Sequence, residues 1–254
     1  MRKTSPKWTG KTPKTEKARL NMPDIYAIAD LHLSHTVPDK SMDVFGALWA
    51  DHTKRLETAW RDLVKEEDLV LVPGDISWAM NLSDAAADLA FLDSLPGQKL
   101  LLRGNHDYWW SSVTRIRAMY PGRIHALQND VFRFHDVEIA GTRGWTLPGS
   151  PVFKEEEDRK LYDREKNRLL LSLGRLSKDT DHIVMFHYPP FSEKGLPGEP
   201  VSMLIPYNVK VCVYGHLHGT KAHESAFQGD CEGIRFSCVA ADLLQFEPKL
   251  IWSV

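Results

Sequence analysis

Seven side chains of types that bind metal ions recur in five short blocks along this chain. The blocks are Asp30-Leu31-His32, Gly74-Asp75, Gly104-Asn105-His106-Asp107, His187 and Gly215-His216-Leu217-His218. Carboxylate, imidazole and amide groups together suit divalent ions such as manganese, iron or zinc. Seven ligands are too many for one catalytic ion, which must keep a position open. The set therefore predicts two metal ions that share a carboxylate, an arrangement used in phosphoryl transfer.

Each block follows a short apolar run that predicts a buried β-strand. The runs occupy residues 25–29, 69–72, 99–102, 183–186 and 211–214. Ligands of α/β folds bind at the carboxyl ends of the strands, along one edge of the sheet. The five blocks are therefore expected to converge on one site. The glycines before Asp75, Asn105 and His216 would let the backbone turn sharply where these strands end.

Helices are predicted between several of the strands. Apolar residues at helical spacing indicate a helix over residues 51–66, with Leu63 among its core positions. A second helix over residues 83–95 is predicted to begin with Ser83 as its N-cap. Residues 154–176 are acidic at the start and leucine-rich later, which is typical of a helix whose N-terminus carries negative charge.

The order of the five blocks resembles that of the calcineurin-like metallophosphoesterases, whose pattern is Asp-x-His, Gly-Asp, Gly-Asn-His-(Asp/Glu), His and Gly-His-x-His. All five blocks are present between residues 30 and 218. The resemblance implies an α/β fold, a four-layer α-β-β-α sandwich in which two mixed β-sheets are flanked by helices. The alternation of predicted strands and helices up to about residue 120, followed by a strand-rich half, agrees with that fold.

The resemblance also assigns the seven ligands to two ions. Asp75 would bridge the two ions. The other ligands would be Asp30, His32 and His218 for the first ion and Asn105, His187 and His216 for the second. Two cations lower the pKa of a bridging water, so a hydroxide would form near neutral pH and attack phosphorus in line.

Three further residues are candidates for other roles. The resemblance implies that His106 protonates the leaving group and that Asp107 orients the His106 ring through a hydrogen bond. Arg143 follows a predicted strand and lies between two glycines. Its guanidinium could clamp a phosphate of the substrate in a bidentate way. Pairing of Arg143 with a carboxylate of the protein itself is an equally open interpretation.

The charge is distributed unevenly. Residues 1–20 hold seven basic side chains and one acidic one, which leaves 25 of the 32 Lys/Arg and 33 of the 34 Asp/Glu to residues 21–254. Residues 1–22 are therefore predicted to be a disordered basic arm, and residues 23–254 the phosphoesterase domain. An acidic body does not favour a dedicated nucleic-acid surface.

The chain offers no signal for a membrane or secreted protein. No apolar stretch approaches the roughly 18 residues of a membrane span, and no apolar segment follows the N-terminal charges. Three irregularly spaced cysteines predict neither a disulfide framework nor a zinc motif. We therefore expect a cytoplasmic protein without membrane contact.

These observations predict a dinuclear metal-dependent phosphoesterase that hydrolyses a small phosphomonoester or phosphodiester, with nucleotides among the candidates. Family members that cleave phosphoproteins carry Gly-Asp-x-Val-Asp-Arg-Gly, whereas Ile-Ser-Trp-Ala-Met follows Asp75 here, so a protein-phosphatase role is not favoured. Two alternatives stay open. One is a metal-dependent nuclease, and the other is a non-catalytic metal-binding scaffold of the same fold.

Overall fold

The structure is a computed structural model that describes residues 22–254, and the predicted basic arm lies outside this range except for Met22. The strands of the described chain are β1 Asp24–Ala27, β2 Leu69–Pro73, β3 Gln98–Leu102, β4 Ile124–Leu127, β5 Phe132–Phe134, β6 Val137–Thr142, β7 Asp181–Phe186, β8 Val209–Tyr214, β9 Gly229–Cys231, β10 Ile234–Cys238 and β11 Lys249–Ser253. Its α-helices are α1 His52–Leu63, α2 Leu82–Ser94, α3 Val113–Met119, α4 Glu155–Leu173, α5 Glu199–Leu204 and α6 Thr220–Ser225.

These strands form two mixed sheets. The strand order is β11-β1-β2-β3-β4 in the first sheet and β5-β6-β7-β8-β10-β9 in the second. The inner strands run parallel, whereas β11, β5 and β9 are antiparallel to their neighbours. Leu71 and Leu100 of the first sheet pack with Ile139 and Val213 of the second in one buried core. The two sheets are therefore packed face to face.

Helices cover the outer face of each sheet. Trp60 of α1 and Leu89 of α2 pack with residues of the first sheet. Leu169 and Leu173 of α4 pack with residues of the second sheet. Strands covered on both faces are mostly apolar, and β2 is buried at every position. The α-β-β-α sandwich predicted from the sequence is thus confirmed.

The two sheets meet where β1 and β10 end. Ala29 forms an isolated parallel bridge with Ala240. The Ala29 N–H donates to the Val239 carbonyl at 2.7 Å, and the Ala241 N–H donates to the Ala29 carbonyl at 2.9 Å. This junction brings the carboxyl ends of parallel strands from both sheets to one edge of the sandwich.

Some local predictions differ from the structure. The second helix begins at Leu82, and its N-cap is Asn81 instead of the predicted Ser83. The side-chain oxygen of Asn81 accepts the Asp84 N–H at 3.0 Å. Leu63 was predicted to be a core residue, but it is 41% exposed on the last turn of α1. The helix predicted over residues 154–176 is α4, which is three residues shorter at its C-terminal end.

A buried carboxylate connects β6 to the segment before β7. Glu138 is 4% exposed, and its Oε2 accepts the Ser177 N–H at 2.7 Å and the Ser177 hydroxyl at 2.6 Å. Its Oε1 accepts from the Arg133 guanidinium at 2.5 Å. Burial opposes ionisation, but these donors outweigh it and lower the pKa of Glu138 from 4.5 to about 2.

We expect Glu138→Gln to destabilise the protein in a pH-dependent way. Because the pKa is lower in the folded state, the contribution of this carboxylate is full above pH 4.5 and is lost as the pH falls toward 2. A drop from 4.5 to about 2 corresponds to at most about 3 kcal/mol of unfolding free energy. Urea unfolding of wild type and variant should show a gap at pH 7 that narrows below pH 4.5.

Glu57→Gln is a suitable control, because Glu57 is exposed and, within residues 22–254, its one ion pair is with Arg61 one helical turn away. Its effect on the unfolding free energy should stay below about 0.5 kcal/mol. A gap between wild type and Glu138→Gln that stays the same from pH 7 to pH 3 would contradict the role given to Glu138.

Candidate metal centre

The structure brings all seven predicted ligands together at the edge where the two sheets meet. The first sheet contributes three loops and the second contributes two. In chain order these side chains are Asp30 and His32 after β1, Asp75 after β2, Asn105 after β3, His187 after β7, and His216 and His218 after β8. The sheet junction is therefore what turns five separate strand ends into one site.

The ligand atoms form two clusters that share one residue. Within each cluster the ligand atoms lie within 4.8 Å of one another. The first cluster is Asp30, His32, Asp75 and His218, and the second is Asp75, His187 and His216. Asn105 adjoins the second cluster, with its Oδ1 2.6 Å from His187 Nε2.

The two oxygens of Asp75 have different surroundings. Oδ1 accepts the backbone N–H of His106 at 2.8 Å. Oδ2 is buried and has no hydrogen-bond partner among residues 22–254. It lies 3.9 Å from His32 Nε2 and 3.5 Å from His187 Nε2. One oxygen is thus held by the backbone, while the other faces both clusters, as a bridging ligand must.

The imidazole tautomers test whether the donor set fits metal ions. His187 Nδ1 lies 3.0 Å from the Pro73 carbonyl, so Nδ1 carries the proton and Nε2 presents a lone pair. That lone pair faces Asn105 Oδ1, and two acceptors 2.6 Å apart repel unless a cation lies between them. His218 Nδ1 likewise faces Asp242, which leaves its Nε2 to face His32 Nε2 at 3.2 Å. The residues of both clusters therefore fit divalent cations.

Burial makes the charges of this site unfavourable without a cation. Burial raises the pKa of Asp30 well above its usual value, and the charge of Asp75 raises it further. Burial also raises the pKa of Asp75 and lowers that of His187 to about 3. His218 differs, because its hydrogen bond to Asp242 and the nearby charge of Asp30 outweigh burial and raise its pKa to about 9. Bound cations would favour ionised carboxylates and neutral imidazoles.

Several ligands have an unusual backbone conformation. Asp30, His32, Asp75 and His216 have φ angles of 60°, 47°, 51° and 71°. This left-handed region is uncommon for residues with a side chain, and each such residue costs of the order of 1–3 kcal/mol. Four of the seven candidate ligands therefore have a strained backbone, although residues elsewhere in the described chain also have a positive φ.

The glycines before the ligands have two different functions. Gly74 has a φ of 97°, so the predicted sharp turn is present there. Gly104 and Gly215 do not have a positive φ, so a left-handed backbone is not the reason for glycine at these two positions. A Cβ at Gly104 would overlap the carboxylate of Asp75, and one at Gly215 would overlap that of Asp30. These two glycines are required by the close approach of neighbouring loops.

Asp107 does not make the predicted hydrogen bond to the His106 ring. Its buried carboxylate accepts four N–H groups that come from the neighbouring loops. They belong to Gly104 at 2.7 Å, Ile76 at 2.9 Å, Ser77 at 3.2 Å and the Trp109 indole at 2.9 Å. Both oxygens are therefore occupied, and Asp107 fastens the loop of Asp75 to that of Asn105 instead.

The His106 ring packs against an indole that the sequence analysis did not single out. The ring centroids of His106 and Trp78 are 4.5 Å apart. Trp78 also stacks on the His32 ring at 4.8 Å, with an interplanar angle of 23°. His106 thus lies beside the first cluster, and its ring has no hydrogen-bonding carboxylate among the described residues. The only signal for Trp78 was an aromatic residue three positions after Asp75.

A second missed residue is Asp242, which is 1% exposed. Its Oδ1 lies 3.2 Å from His218 Nδ1, and its Oδ2 accepts the Gly219 N–H at 2.9 Å. The carboxylate thereby sets the tautomer and the orientation of the ligand His218. Asp242 follows β10, a parallel strand that ends at the same edge, and this position was the available signal.

Arg143 lies at the end of β6 beside the second cluster. Its carbonyl accepts the N–H groups of His187 at 3.1 Å and Tyr188 at 2.9 Å. Its guanidinium stacks over the Trp145 ring at 4.6 Å and lies 3.6 Å from Glu165 Oε1. The pairing with a protein carboxylate is therefore present but loose. The Arg143 Nε is buried and has no acceptor within residues 22–254.

Fold and site together describe an α-β-β-α sandwich with two clusters of candidate metal ligands at its edge. Residues 23–220 match the family model for calcineurin-like phosphoesterases, and the chain belongs to that family. The chain is 35% identical to the Gene 66 protein of Mycobacterium phage D29 over 124 residues, which cover 41% of this chain and 60% of the phage protein. The match thus spans less than two thirds of that relative.

Two solved structures share the fold at low sequence identity. Phosphopantetheinyl hydrolase from Mycobacterium tuberculosis aligns with a TM-score of 0.53 and 14% identity, over 86% of this chain and 89% of its own. The protein TT1561 of Thermus thermophilus aligns with a TM-score of 0.52 and 13% identity, over 79% of this chain and 84% of its own. Within residues 22–254, no helix has the length and apolar character needed to cross a membrane.

The shared ligand predicts how metal content responds to substitution. Asp75→Asn should reduce the occupancy of both ions, because Asp75 belongs to both clusters. His32→Ala and His187→Ala should each reduce mainly one ion. Elemental analysis after dialysis against manganese would measure the ions retained per chain. His125→Ala, whose ring hydrogen-bonds to Gln98, is the control and should keep both ions. Normal metal content in Asp75→Asn would refute the bridging role.

Proposed function

We propose that this protein is a dinuclear metal-dependent phosphoesterase that hydrolyses a small phosphomonoester or phosphodiester, with nucleotides among its candidate substrates. The observation that carries the proposal is the position of Asp75. Its buried, unpartnered Oδ2 faces a cluster on each side. A carboxylate shared by two cation sites is the arrangement of enzymes that transfer or hydrolyse phosphoryl groups.

The residues that would hold the two cations follow from the clusters. The first cation would be held by Asp30, His32 and His218, the second by Asn105, His187 and His216, and both by Asp75. Manganese, iron and zinc all suit this mixture of oxygen and nitrogen donors. When bound, the cations supply Lewis acidity toward the phosphate oxygens and a nucleophile at neutral pH.

The protein itself would provide a proton donor and aromatic rings that pack against the candidate ligands. The His106 N–H is fixed to Asp75 Oδ1 at 2.8 Å, so the position of this residue is coupled to the bridging carboxylate. Its ring, held against Trp78, would donate a proton to the leaving oxygen. Trp49 lies edge-on to His32, with 5.9 Å between centroids, and Tyr188 packs on His216 at 4.0 Å. These aromatic rings would hold the imidazoles of both clusters in position.

The alternatives have weaker support. A nuclease binds a polyanion, whereas residues 21–254 carry 33 acidic against 25 basic side chains. A non-catalytic scaffold would not need all seven donors and a histidine beside them. We also propose that the protein acts in the cytoplasm, since Cys212, Cys231 and Cys238 are all free thiols.

The proposal predicts that His106→Asn is selective for the leaving group. Nitrophenolate leaves without protonation, whereas an alkoxide leaves slowly unless a proton arrives in the transition state. General acid catalysis contributes about 10²–10⁴-fold, so the variant should lose activity of that order on alkyl phosphates and much less on nitrophenyl phosphates. Initial rates of the manganese-loaded enzyme on both esters, with metal content measured in parallel, would test this prediction.

Tyr108→Phe provides a matched control, because Tyr108 is 55% exposed and its ring lies 6.4 Å from that of His106. It should leave the ratio of the two rates unchanged. If His106→Asn slows both esters equally at full metal occupancy, His106 is not the general acid. If the metal-loaded wild type hydrolyses no phosphate ester, the proposed function itself fails.

A further inference from the structure

A polar cavity of about 180 Å³ lies beside the metal centre. It is formed where the ends of β3 and β4 face the end of β6 and helix α4. The charged residues of its lining are Arg103, Arg143, Glu165 and Arg168. Arg103 is two residues before the ligand Asn105, and the Arg143 carbonyl accepts the N–H of the ligand His187. The cavity and the second cluster therefore share a wall.

The lining carries more positive than negative charge. Its one carboxylate, Glu165, is 2% exposed. Glu165 Oε1 accepts from Arg168 at 2.8 Å and lies 3.6 Å from Arg143, and Oε2 accepts the Thr142 hydroxyl at 2.7 Å. Three guanidinium groups and one carboxylate leave two positive charges without a counterion in the lining.

Part of this hydrogen-bonding capacity is unused. The Nε atoms of Arg103 and Arg143 are both buried, and neither has an acceptor in the part of the chain that the structure describes. A buried donor without an acceptor is costly, so a ligand that supplied acceptors here would be stabilising. Guanidinium groups match the oxygens of a phosphate in a bidentate fork.

We infer that this cavity binds a second phosphate group of the substrate, separate from the phosphate held at the metal centre. A phosphate monoester dianion would balance the two positive charges of the lining, whereas a carboxylate would balance only one. The substrate class would then be small esters that carry two phosphate groups. This inference rests on the proposed function, because the metal centre would hold the phosphate that is cleaved. The guanidinium of Arg143 would bind the second phosphate and not the one that is cleaved.

Kinetics of the metal-loaded enzyme provide the first test. Monophosphates of simple alcohols would be compared with the bisphosphates of α,ω-alkanediols of three to eight carbons. For at least one chain length, kcat/KM should be about tenfold or more higher for the bisphosphate, mainly through a lower KM, as one charge-assisted hydrogen bond would provide. Arg168→Gln and Arg103→Gln should abolish this preference.

Arg164→Gln is the matched control. The Arg164 Nε lies 3.5 Å from the same oxygen of Glu165, but Arg164 is 49% exposed and is not part of the cavity lining. The substitution Arg164→Gln removes one guanidinium group and one contact to Glu165, as Arg168→Gln does. The preference for bisphosphates should therefore be retained in this variant. Its loss in Arg164→Gln as well would show that general charge near Glu165, and not the cavity, is responsible.

A binding measurement separates this inference from the proposed function. Metal would first be removed from the full chain with a chelator. Inorganic phosphate would then be titrated into the protein, and its binding would be measured by ³¹P NMR. Binding with a Kd on the order of 1 mM is expected. It should weaken about tenfold in Arg168→Gln and stay unchanged in Arg164→Gln. Acetate at the same concentration should not displace phosphate.

The outcomes are distinguishable. If no ester is hydrolysed but phosphate binding depends on Arg168, the proposed function fails and the anion site stands. Equal kcat/KM for mono- and bisphosphates at every chain length would overturn the inference. Phosphate binding that is undetectable, or insensitive to Arg168→Gln, would overturn it too. Displacement by acetate would show a carboxylate site and would also overturn it.

Discussion

Two carboxylates, Asp30 and Asp75, are buried at the edge of the sandwich, and burial raises the pKa of both. Burial of a carboxylate opposes its ionisation, and the backbone N–H groups and His218 offset this effect only in part. The imidazoles around them are kept neutral by the same burial, apart from His218, which Asp242 helps to hold in its protonated form. Bound cations would add positive charge at this edge and would favour the ionised carboxylates.

The junction between the two sheets brings the candidate ligands of both sheets to one place. Through the hydrogen bonds of Ala29, the end of β1 is joined to the second sheet, and Asp30 comes to accept the His216 N–H at 2.9 Å. Gly215 allows this approach, because any larger residue would overlap the Asp30 carboxylate. On the other side, Asp107 joins two loops of the first sheet. Residues outside the candidate ligand set, such as Gly215 and Asp107, thus help to determine where the ligands lie.

The order of the ligand blocks was sufficient to predict the sandwich, through the resemblance to a known family, and the positions of the blocks at strand ends were sufficient to predict their convergence. The sequence was insufficient where contacts between distant parts of the chain determine the orientation of a side chain. Asp107 adjoins His106 in the chain, yet its carboxylate turns to backbone amides that no local pattern reveals. Asp242 is 24 residues from the histidine that it orients. Arg168 lies on helix α4, and only the packing of that helix beside β6 shows that it lines a cavity.

The left-handed conformations of Asp30, His32, Asp75 and His216 have a consequence for how this fold tolerates change. At about 1–3 kcal/mol each, their combined cost is comparable to the total stability of an ordinary domain, roughly 5–15 kcal/mol. Glycine at any of these positions would relieve backbone strain and, at Asp30 or Asp75, remove a buried charge as well. Random variants selected only for folding stability, in a medium that contains a chelator, would therefore tend to lose the candidate metal ligands. At this edge, selection for durability and selection for catalysis act in opposite directions.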